Sequence, residues 1–256
     1  MITSAQNAKL KLVRSLMGRP KERHAARAFV AEGVRLVEEA FLAGWPIQFG
    51  LFTPGLNERG LDLVKKLESK GIEVEQVSDV LLNAISETEN SQGLLAVLDF
   101  SSLAMPEPLN FALITDSLRD PGNLGTLLRT AAAAGVQAVF LSPGTTDAFA
   151  PKVLRAGMGA HFQLPILPFS WAEIGMATRS LKVYLADMQG DPCWQTDFNP
   201  PLALMVGGEA EGATETARKL ADGIVSIPMP GKAESLNAGV AGAVLMVEVV
   251  RQRKLG

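Results

Sequence analysis

The feature that most constrains this chain is the alternation of strand-like and helix-like segments over its C-terminal half. Short apolar runs bounded by turn residues predict buried strands, and they lie at 111–115, 136–141, 162–165, 182–186, 202–206 and 224–227. Helices are predicted between them, near 123–134, 150–157, 170–179, 213–220 and 235–252. Alternation of this kind favours a parallel sheet covered by helices on both faces, so the predicted fold class is α/β.

A second, smaller α/β pattern precedes the C-terminal half of the chain. Strands are predicted at 29–33, 47–52, 74–77 and 93–99, with helices at 34–43, 61–70 and 79–84. Residues Ser101–Pro108 combine small side chains with two prolines, which is typical of an extended linker. The chain is therefore divided into residues 1–28, a domain at 29–99, a linker at 100–109 and a domain at 110–256.

Composition excludes several classes of protein. The 256 residues are 47% hydrophobic and 20% charged, as in ordinary globular proteins, and contain no apolar run of the roughly 18 residues that a membrane span needs. Met1–Gln6 has no apolar signal core, so we expect a cytoplasmic protein. Cys193 is the only cysteine, which favours a buried filler over a catalytic thiol, and the two histidines lie far apart. No metal site is expected.

The charged residues are unevenly distributed along the chain. The net charge of −3 argues against a generally basic nucleic-acid-binding protein, but residues 1–30 hold seven Lys or Arg and one Glu, a local charge of +6. Such a cluster suits RNA phosphates, because neutralising them releases counterions. Residues 1–28 are therefore interpreted as a basic arm that contacts RNA. A solvated arm without a partner is the alternative.

One motif follows the first strand of the C-terminal domain. Residues 120–129 read D-P-G-N-L-G-T-L-L-R, which places Asn123 and Arg129 at the carboxyl end of a strand and in the first turns of the next helix. Open α/β sheets place their ligand crevices at this edge, and a helix N-terminus beside an Arg suits a phosphate. Alternatively, Asn123 only caps the helix and Arg129 is a surface charge.

Two later segments lie after strands. Residues 207–212 read G-G-E-A-E-G, where glycines allow the backbone to approach a ligand closely. A dinucleotide-binding loop is disfavoured there, because the spacing is not G-x-G-x-x-G and the strand is not the first of the domain. Residues 227–231 read I-P-M-P-G, and Glu234–Asn237 then lead into the last helix.

The three motifs in this order resemble the SpoU (TrmH-like) RNA ribose 2′-O-methyltransferases of the SPOUT superfamily, over residues 110 to 250. The resemblance implies S-adenosylmethionine as methyl donor, a C-terminal trefoil knot and a homodimer formed through the C-terminal domain. It places Asn123, Arg129, Glu209, Ser235 and Asn237 at the active site. It assigns donor binding to Gly207, Gly208, Glu209, Ile227, Met229, Ser235 and Leu236.

Residues 29–99 resemble the family's N-terminal L30e-like RNA-binding domain, on Phe29–Gly33 and Gln92–Gly93. RNA contacts are expected from Arg23, Arg27, Arg35 and Arg155. Two positions depart from the family pattern, since Gly157 and Gly239 stand where serine is usual. Small residues in the last helix allow close packing, either between subunits or against the sheet.

The resemblance implies methylation of a ribose 2′-hydroxyl in RNA, with 23S rRNA expected as substrate because the L30e-like domain is typical of rRNA-directed members. A tRNA substrate is the alternative. An RNA-binding ribosome-assembly module without turnover is a second alternative, which retention of the five active-site residues disfavours. A dinucleotide-dependent oxidoreductase is a third, and it requires NAD to bind in place of S-adenosylmethionine.

Overall fold

The computed structural model describes residues 1–87, 91–208, 212–232 and 235–255. The first part of the chain contains α1 Ala8–Gly18, α2 Pro20–Ala26, β1 Ala28–Glu32, α3 Val34–Leu42, β2 Ile47–Phe52, α4 Glu58–Ser69, β3 Glu73–Gln76, α5 Asp79–Asn83 and β4 Leu94–Asp99. The second contains β5 Phe111–Asp116, α6 Pro121–Ala134, β6 Ala138–Leu141, α7 Pro151–Gly157, β7 Ile166–Pro168, α8 Trp171–Ala177, β8 Lys182–Pro192, β9 Leu202–Gly207, α9 Glu215–Leu220, β10 Gly223–Ser226 and α10 Ala238–Leu255.

The chain forms two compact units. The first comprises Met1–Ser101 together with Phe149–Phe162, and the second comprises Ser102–Ala148 together with the residues from Gln163 onward. Residues 149–162 leave the second unit after β6 and return to it before β7, which the division at residue 110 did not predict.

The first unit has a four-stranded mixed sheet in the order β1-β4-β2-β3. Strand β4 pairs antiparallel with both β1 and β2, and β2 pairs parallel with β3. One face of this sheet packs on α1, whose Leu10, Val13 and Leu16 are fully buried in the same hydrophobic cluster as Val30, Leu51 and Val97.

The interpretation of residues 1–28 as a separate arm does not agree with this packing. Asn7 caps α1, since its side chain accepts a hydrogen bond from the backbone N–H of Lys9 at 2.8 Å. The buried side chains recur every three residues, as on one face of a helix. The segment is thus basic on its outer face and part of the core on its inner face.

Aromatic side chains from distant parts of the chain meet in the first unit. Phe29 of β1 lies 4.8 Å from Phe149 and 6.5 Å from Phe162, measured between ring centroids. Trp45 lies 5.3 Å from Phe162. These contacts hold both ends of the 149–162 segment in the first unit.

The second unit has a six-stranded sheet in the order β10-β8-β9-β5-β6-β7, with every pairing parallel. The predicted α/β class with a parallel sheet is confirmed. One predicted strand was misplaced: residues 160–162 form a 3-10 turn, and β7 begins at Ile166, after Pro165. Because parallel strands share their carboxyl edge, the loops after β5, β8, β9 and β10 meet there.

Candidate functional site

A cleft of about 490 Å³ opens at the carboxyl edge of β8, β9 and β10, within the second unit. Its size is typical of a small-molecule site. It is lined by Ala186, Asp187, Met188, Val206, Gly207, Gly208, Gly212, Ala213, Val225, Ser226, Ile227, Met229, Ser235, Leu236, Asn237, Ala238, Ala241 and Leu245.

The cleft brings together nearly all the residues predicted to bind the methyl donor. These are Gly207, Gly208, Ile227, Met229, Ser235 and Leu236. Glu209 lies outside the described residues. The segments after β9 and β10 therefore line the same cleft. The two strands flank β8 in the parallel sheet, so their carboxyl ends lie at the same edge.

The start of α10 is tied to the start of α6 by two asparagines. The Asn237 side-chain N–H donates to Asn123 Oδ1 at 2.8 Å, and Asn237 Oδ1 accepts from the Val240 backbone N–H at 3.2 Å. Asn123 is only 7% exposed. The first motif thus reaches the cleft through Asn237, which also lines it.

Asn123 does not cap α6, contrary to the alternative interpretation. The cap is Asp120, whose Oδ1 accepts a hydrogen bond from the Asn123 backbone N–H at 2.8 Å. The Asn123 side chain, freed from capping, is directed to Asn237 instead.

Small residues allow α10 to pack closely on α6. A Cβ at Gly242 would lie 2.2 Å from Leu127 Cδ2, and a Cβ at Gly239 would lie 3.2 Å from Thr126 Cβ. Packing within one chain therefore accounts for both glycines. A larger side chain at 239 would also crowd Asn237 Oδ1, at 3.2 Å, so glycine in place of the usual serine fits this contact.

A buried carboxylate fixes the start of α9 beside the cleft. Asp116, at the end of β5, is fully buried and accepts hydrogen bonds from the Thr214 backbone N–H at 2.7 Å and the Thr214 hydroxyl at 3.1 Å. Thr214 caps α9. Gly212 and Ala213, which line the cleft, directly precede Thr214. The hydrogen bonds between Asp116 and Thr214 therefore fix the position of this part of the cleft wall.

Arg129 lies on α6 about 9 Å along the helix axis from Asn123, as six residues at the helical rise require. It is exposed, does not line the cleft and forms no ion pair with a described residue. The guanidinium is therefore available to an anionic partner outside the cleft.

Sequence reasoning missed Asp187. Strand β10 pairs with Tyr184 and Leu185 and then with Asp191 and Pro192. The residues between bow out of β8 and bring Asp187 to the cleft wall. Asp187 directly follows the predicted strand 182–186, and this position at the carboxyl end of a strand could have indicated a residue of the site.

The environment keeps Asp187 ionised. Burial alone would raise the pKa of Asp187, but hydrogen bonds from the Gln189 backbone N–H and from Arg218 hold that pKa below its ordinary value. The Arg218 guanidinium lies 2.6 Å from Asp187 Oδ2. The cleft therefore has a carboxylate in its wall.

The four arginines predicted to contact RNA differ in accessibility. Arg27 and Arg35 are exposed. Arg155 is half-buried, with Nη1 3.8 Å from Glu32 Oε2 and Nη2 3.4 Å from Glu87 Oε2. Arg23 is 2% exposed and donates to the Leu16 carbonyl at 2.6 Å. Its assignment as an RNA contact is wrong, because its guanidinium satisfies carbonyls at the end of α1.

Replacing Arg23 tests this structural role. Arg23→Ala removes a buried charge-assisted hydrogen bond, so we expect the free energy of unfolding to fall by about 2 kcal/mol. RNA affinity should not change once the variant is folded. Urea unfolding and RNA titration measure the two quantities. Lys21→Ala, at an exposed residue of the same helix, is the matched control for stability and should leave it unchanged. A variant of unchanged stability that binds RNA less tightly would contradict the assignment.

Cys193 is buried, and burial raises the pKa of its thiol, which agrees with the predicted filler role.

Within the described parts of the chain, no helix combines the length and apolar character needed to cross a membrane. Nor do three or more His, Cys, Asp or Glu side chains of those parts cluster as metal ligands.

The parallel sheet and the cleft at its carboxyl edge define an α/β protein with a small-ligand site at that edge. Residues 110–247 match the SpoU rRNA Methylase family, and residues 7–96 match the MRM3-like substrate binding domain. The protein belongs to the SpoU rRNA methylase family. The second match begins at residue 7, which agrees with the packing of α1 and α2 in the first unit.

Similar proteins cover the chain from end to end. The 23S rRNA (guanosine(2553)-2′-O)-methyltransferase RlmP of Bacillus subtilis is 36% identical over 250 residues, covering 96% of this chain and 97% of that protein. The 23S rRNA (uridine(2479)-2′-O)-methyltransferase of Streptomyces viridochromogenes is 28% identical, covering 99% and 93%. The crystal structure of the SpoU methyltransferase AviRb from the same organism, in complex with AdoMet, has a TM-score of 0.85 at 28% identity and covers 98% and 100%.

Proposed function

We propose that this protein transfers a methyl group from S-adenosylmethionine to a ribose 2′-hydroxyl of 23S rRNA. The observation that carries the proposal is the hydrogen bond between Asn237 and Asn123, which joins the cleft to the helix that bears Arg129. Family membership and the substrates named for the similar proteins support RNA as the methyl acceptor. We expect the protein to act in the cytoplasm.

The cleft fits the methyl donor in size and chemistry. Ile227, Met229 and Leu236 offer apolar surface for an adenine ring, and the backbone at Gly207 and Gly208 offers hydrogen-bonding groups at close approach. Ser235 and Asn237 would face the reacting centre. Asp187 places a carboxylate in the wall, with its charge balanced by Arg218. When bound, the donor supplies an electrophilic methyl group on a sulfonium.

Arg129 would act on the RNA. Arginine stays protonated, so it is a poor general base. Its role would be to bind the phosphate next to the target nucleotide and to lower the barrier for loss of the 2′-hydroxyl proton. That proton would pass to a phosphate oxygen or to water. Asn123 and Asn237 would orient the ribose, and Glu209 is proposed as a further hydrogen-bonding residue of the site.

A transfer assay tests the proposal. The purified protein is incubated with S-adenosylmethionine labelled in its methyl group and with unmodified transcripts of 23S rRNA, 16S rRNA or tRNA. We expect label in 23S rRNA, at a nucleotide that becomes resistant to alkaline cleavage because its 2′-hydroxyl is blocked. Label in tRNA alone would contradict the rRNA substrate. Absence of label from every transcript would contradict the proposed activity.

We also propose a homodimer through α10. Val240, Val244 and Val247 recur at helical spacing on one face, and Val240 and Val247 are 46% and 61% exposed. An apolar stripe of this kind suits a second copy of the chain. The trefoil knot in the same domain stays a prediction.

Light scattering tests the dimer. We expect a dimer mass at micromolar concentration for the wild type and a monomer mass for Val240→Glu/Val247→Glu, because charge in an apolar interface is costly. Met176→Glu, at an exposed methionine of α8, is the matched control and should leave the mass unchanged. A monomer mass for the wild type would contradict the proposal.

A further inference from the structure

Residues 186–190 form a bulge in β8 that contributes to the wall of the donor cleft. Strand β10 pairs with β8 up to Leu185 and again from Asp191, so its pairing skips the residues between them. We call residues 186–190 the β8 bulge. A segment outside the strand pairing keeps its position only where other contacts hold it. Three of its residues line the cleft: Ala186, Asp187 and Met188.

Contacts from two neighbouring elements hold the β8 bulge. At one end of the bulge, Ser226 Oγ of β10 donates a hydrogen bond to the Gly190 carbonyl at 2.8 Å. Near the other end, Arg218 Nη2 of α9 donates to Asp187 Oδ2 at 2.6 Å. The second contact joins two charged groups, and hydrogen bonds of that kind are shorter and stronger than those between neutral groups. The ion pair is therefore the stronger of these two contacts.

Arg218 also lies close to a second part of the cleft wall. Its Nη2 is 4.0 Å from the position that a Cβ at Gly212 would take, and Gly212 lines the cleft. The start of α9 is fixed, because Thr214 is hydrogen-bonded to the buried Asp116. The Arg218 backbone N–H in turn donates to the Thr214 carbonyl at 3.0 Å, one helical turn further along. The guanidinium therefore couples the β8 bulge to the segment that precedes α9.

Both carboxylate oxygens of Asp187 take part in contacts within the protein. Oδ1 accepts a hydrogen bond from the Gln189 backbone N–H at 3.0 Å, and Oδ2 accepts from Arg218. The Asp187 side chain is 15% exposed and the Arg218 side chain 42%. A half-buried carboxylate beside a cleft attracts a cation, and a guanidinium in contact with it offsets that attraction. The cleft wall therefore presents a balanced pair of charges.

We propose that Arg218 is a positioning residue of the donor site, which holds the β8 bulge through Asp187 and balances the charge of that carboxylate. This inference rests on the proposed function. A wall that is already ordered lowers the cost of binding, so the ion pair should favour both the donor and its product. The two ligands differ in charge, since S-adenosylmethionine has a cationic sulfonium and S-adenosylhomocysteine has a neutral thioether.

The test is calorimetric titration of the full-length protein with each of the two ligands. Binding of S-adenosylhomocysteine reports on positioning without a contribution from the sulfonium charge. Arg218→Gln should weaken this binding about 10-fold, because the ligand must then order the β8 bulge. S-adenosylmethionine should lose less affinity, since the Asp187 carboxylate is no longer balanced and attracts the sulfonium. The ratio of the two dissociation constants should therefore shift in favour of the donor by about 3-fold.

Lys219→Gln is the matched control, because it removes a positive charge from the next residue of α9. Lys219 pairs with Glu215, and the two side chains are 74% and 82% exposed, so both dissociation constants should stay unchanged. Arg218→Lys should recover most of the affinity, because Asp187 receives a single hydrogen bond from Nη2, which an ammonium group can also donate. Thermal unfolding followed by circular dichroism checks that each variant is folded.

The inference is overturned if Arg218→Gln binds S-adenosylhomocysteine as tightly as Lys219→Gln does. Equal losses of affinity in Arg218→Gln and Arg218→Lys would also overturn it, since a role of the ion pair requires rescue by another cation. Equal losses for the donor and the product in Arg218→Gln would overturn the balancing of the Asp187 charge. A protein that shows the expected binding pattern and transfers no methyl group to any RNA would contradict the proposed function and leave the role of Arg218 supported.

Discussion

Arg129→Ala should abolish methyl transfer while S-adenosylmethionine still binds within a few-fold of the wild-type affinity. Arg129 is exposed on α6 and does not line the cleft, so its removal should spare the donor site. Loss of a contact made chiefly in the transition state should lower kcat by on the order of 10²-fold or more. Single-turnover transfer and calorimetric titration of the donor measure the two effects.

Two further variants sharpen this prediction. Arg129→Lys should restore little activity, because a point charge does not reproduce the planar fork of a guanidinium. Arg179→Ala, at an exposed arginine of the second unit away from the cleft, should keep wild-type turnover. Near-normal transfer by Arg129→Ala would contradict the role assigned to the guanidinium.

Gly190→Ala should disrupt the donor cleft itself. A Cβ at residue 190 would lie 2.4 Å from the Ile224 carbonyl carbon and 2.5 Å from the Val225 backbone nitrogen. Backbone cannot yield as a flexible side chain can, so β8 and β10 must separate where residues 186–190 bow out. We expect a loss of about 3 kcal/mol in the free energy of unfolding.

The loss should appear in two measurements. Thermal unfolding should shift downward by roughly 6 to 12 °C for a chain of this size, and donor affinity should fall because Asp187 and Met188 belong to the displaced segment. Gly18→Ala is the matched control, since no atom lies within 4 Å of the added Cβ. Equal free energies of unfolding for Gly190→Ala and Gly18→Ala would contradict the prediction, because they would mean that a Cβ fits at residue 190 between β8 and β10.

Much of the fold was predictable because its signals are local. The alternation of apolar runs and helical segments predicted the parallel sheet, and the motifs after β5, β9 and β10 predicted that their residues meet. Apolar side chains at helical spacing in α1 carried a signal too, but the seven Lys and Arg of residues 1–28 favoured an arm. The buried face of α1 was therefore missed.

Other features depend on contacts between distant residues. Arg23 is one of several arginines in a basic run, and only the fold shows that its guanidinium turns inward to Leu16. Residues 149–162 belong to the first unit because Phe149 and Phe162 pack around Phe29, which no local pattern indicates. Asp187 reaches the cleft through a register shift between β8 and β10 that periodicity cannot reveal.

The most direct measurement of the central claim maps 2′-O-methylated nucleotides in rRNA and tRNA from cells that carry the gene and from cells that lack it. We expect one ribose in 23S rRNA that is methylated only when the gene is present. The same site should be restored by the wild-type gene and not by one encoding Arg129→Ala. Identical methylation maps in the two strains would contradict the account.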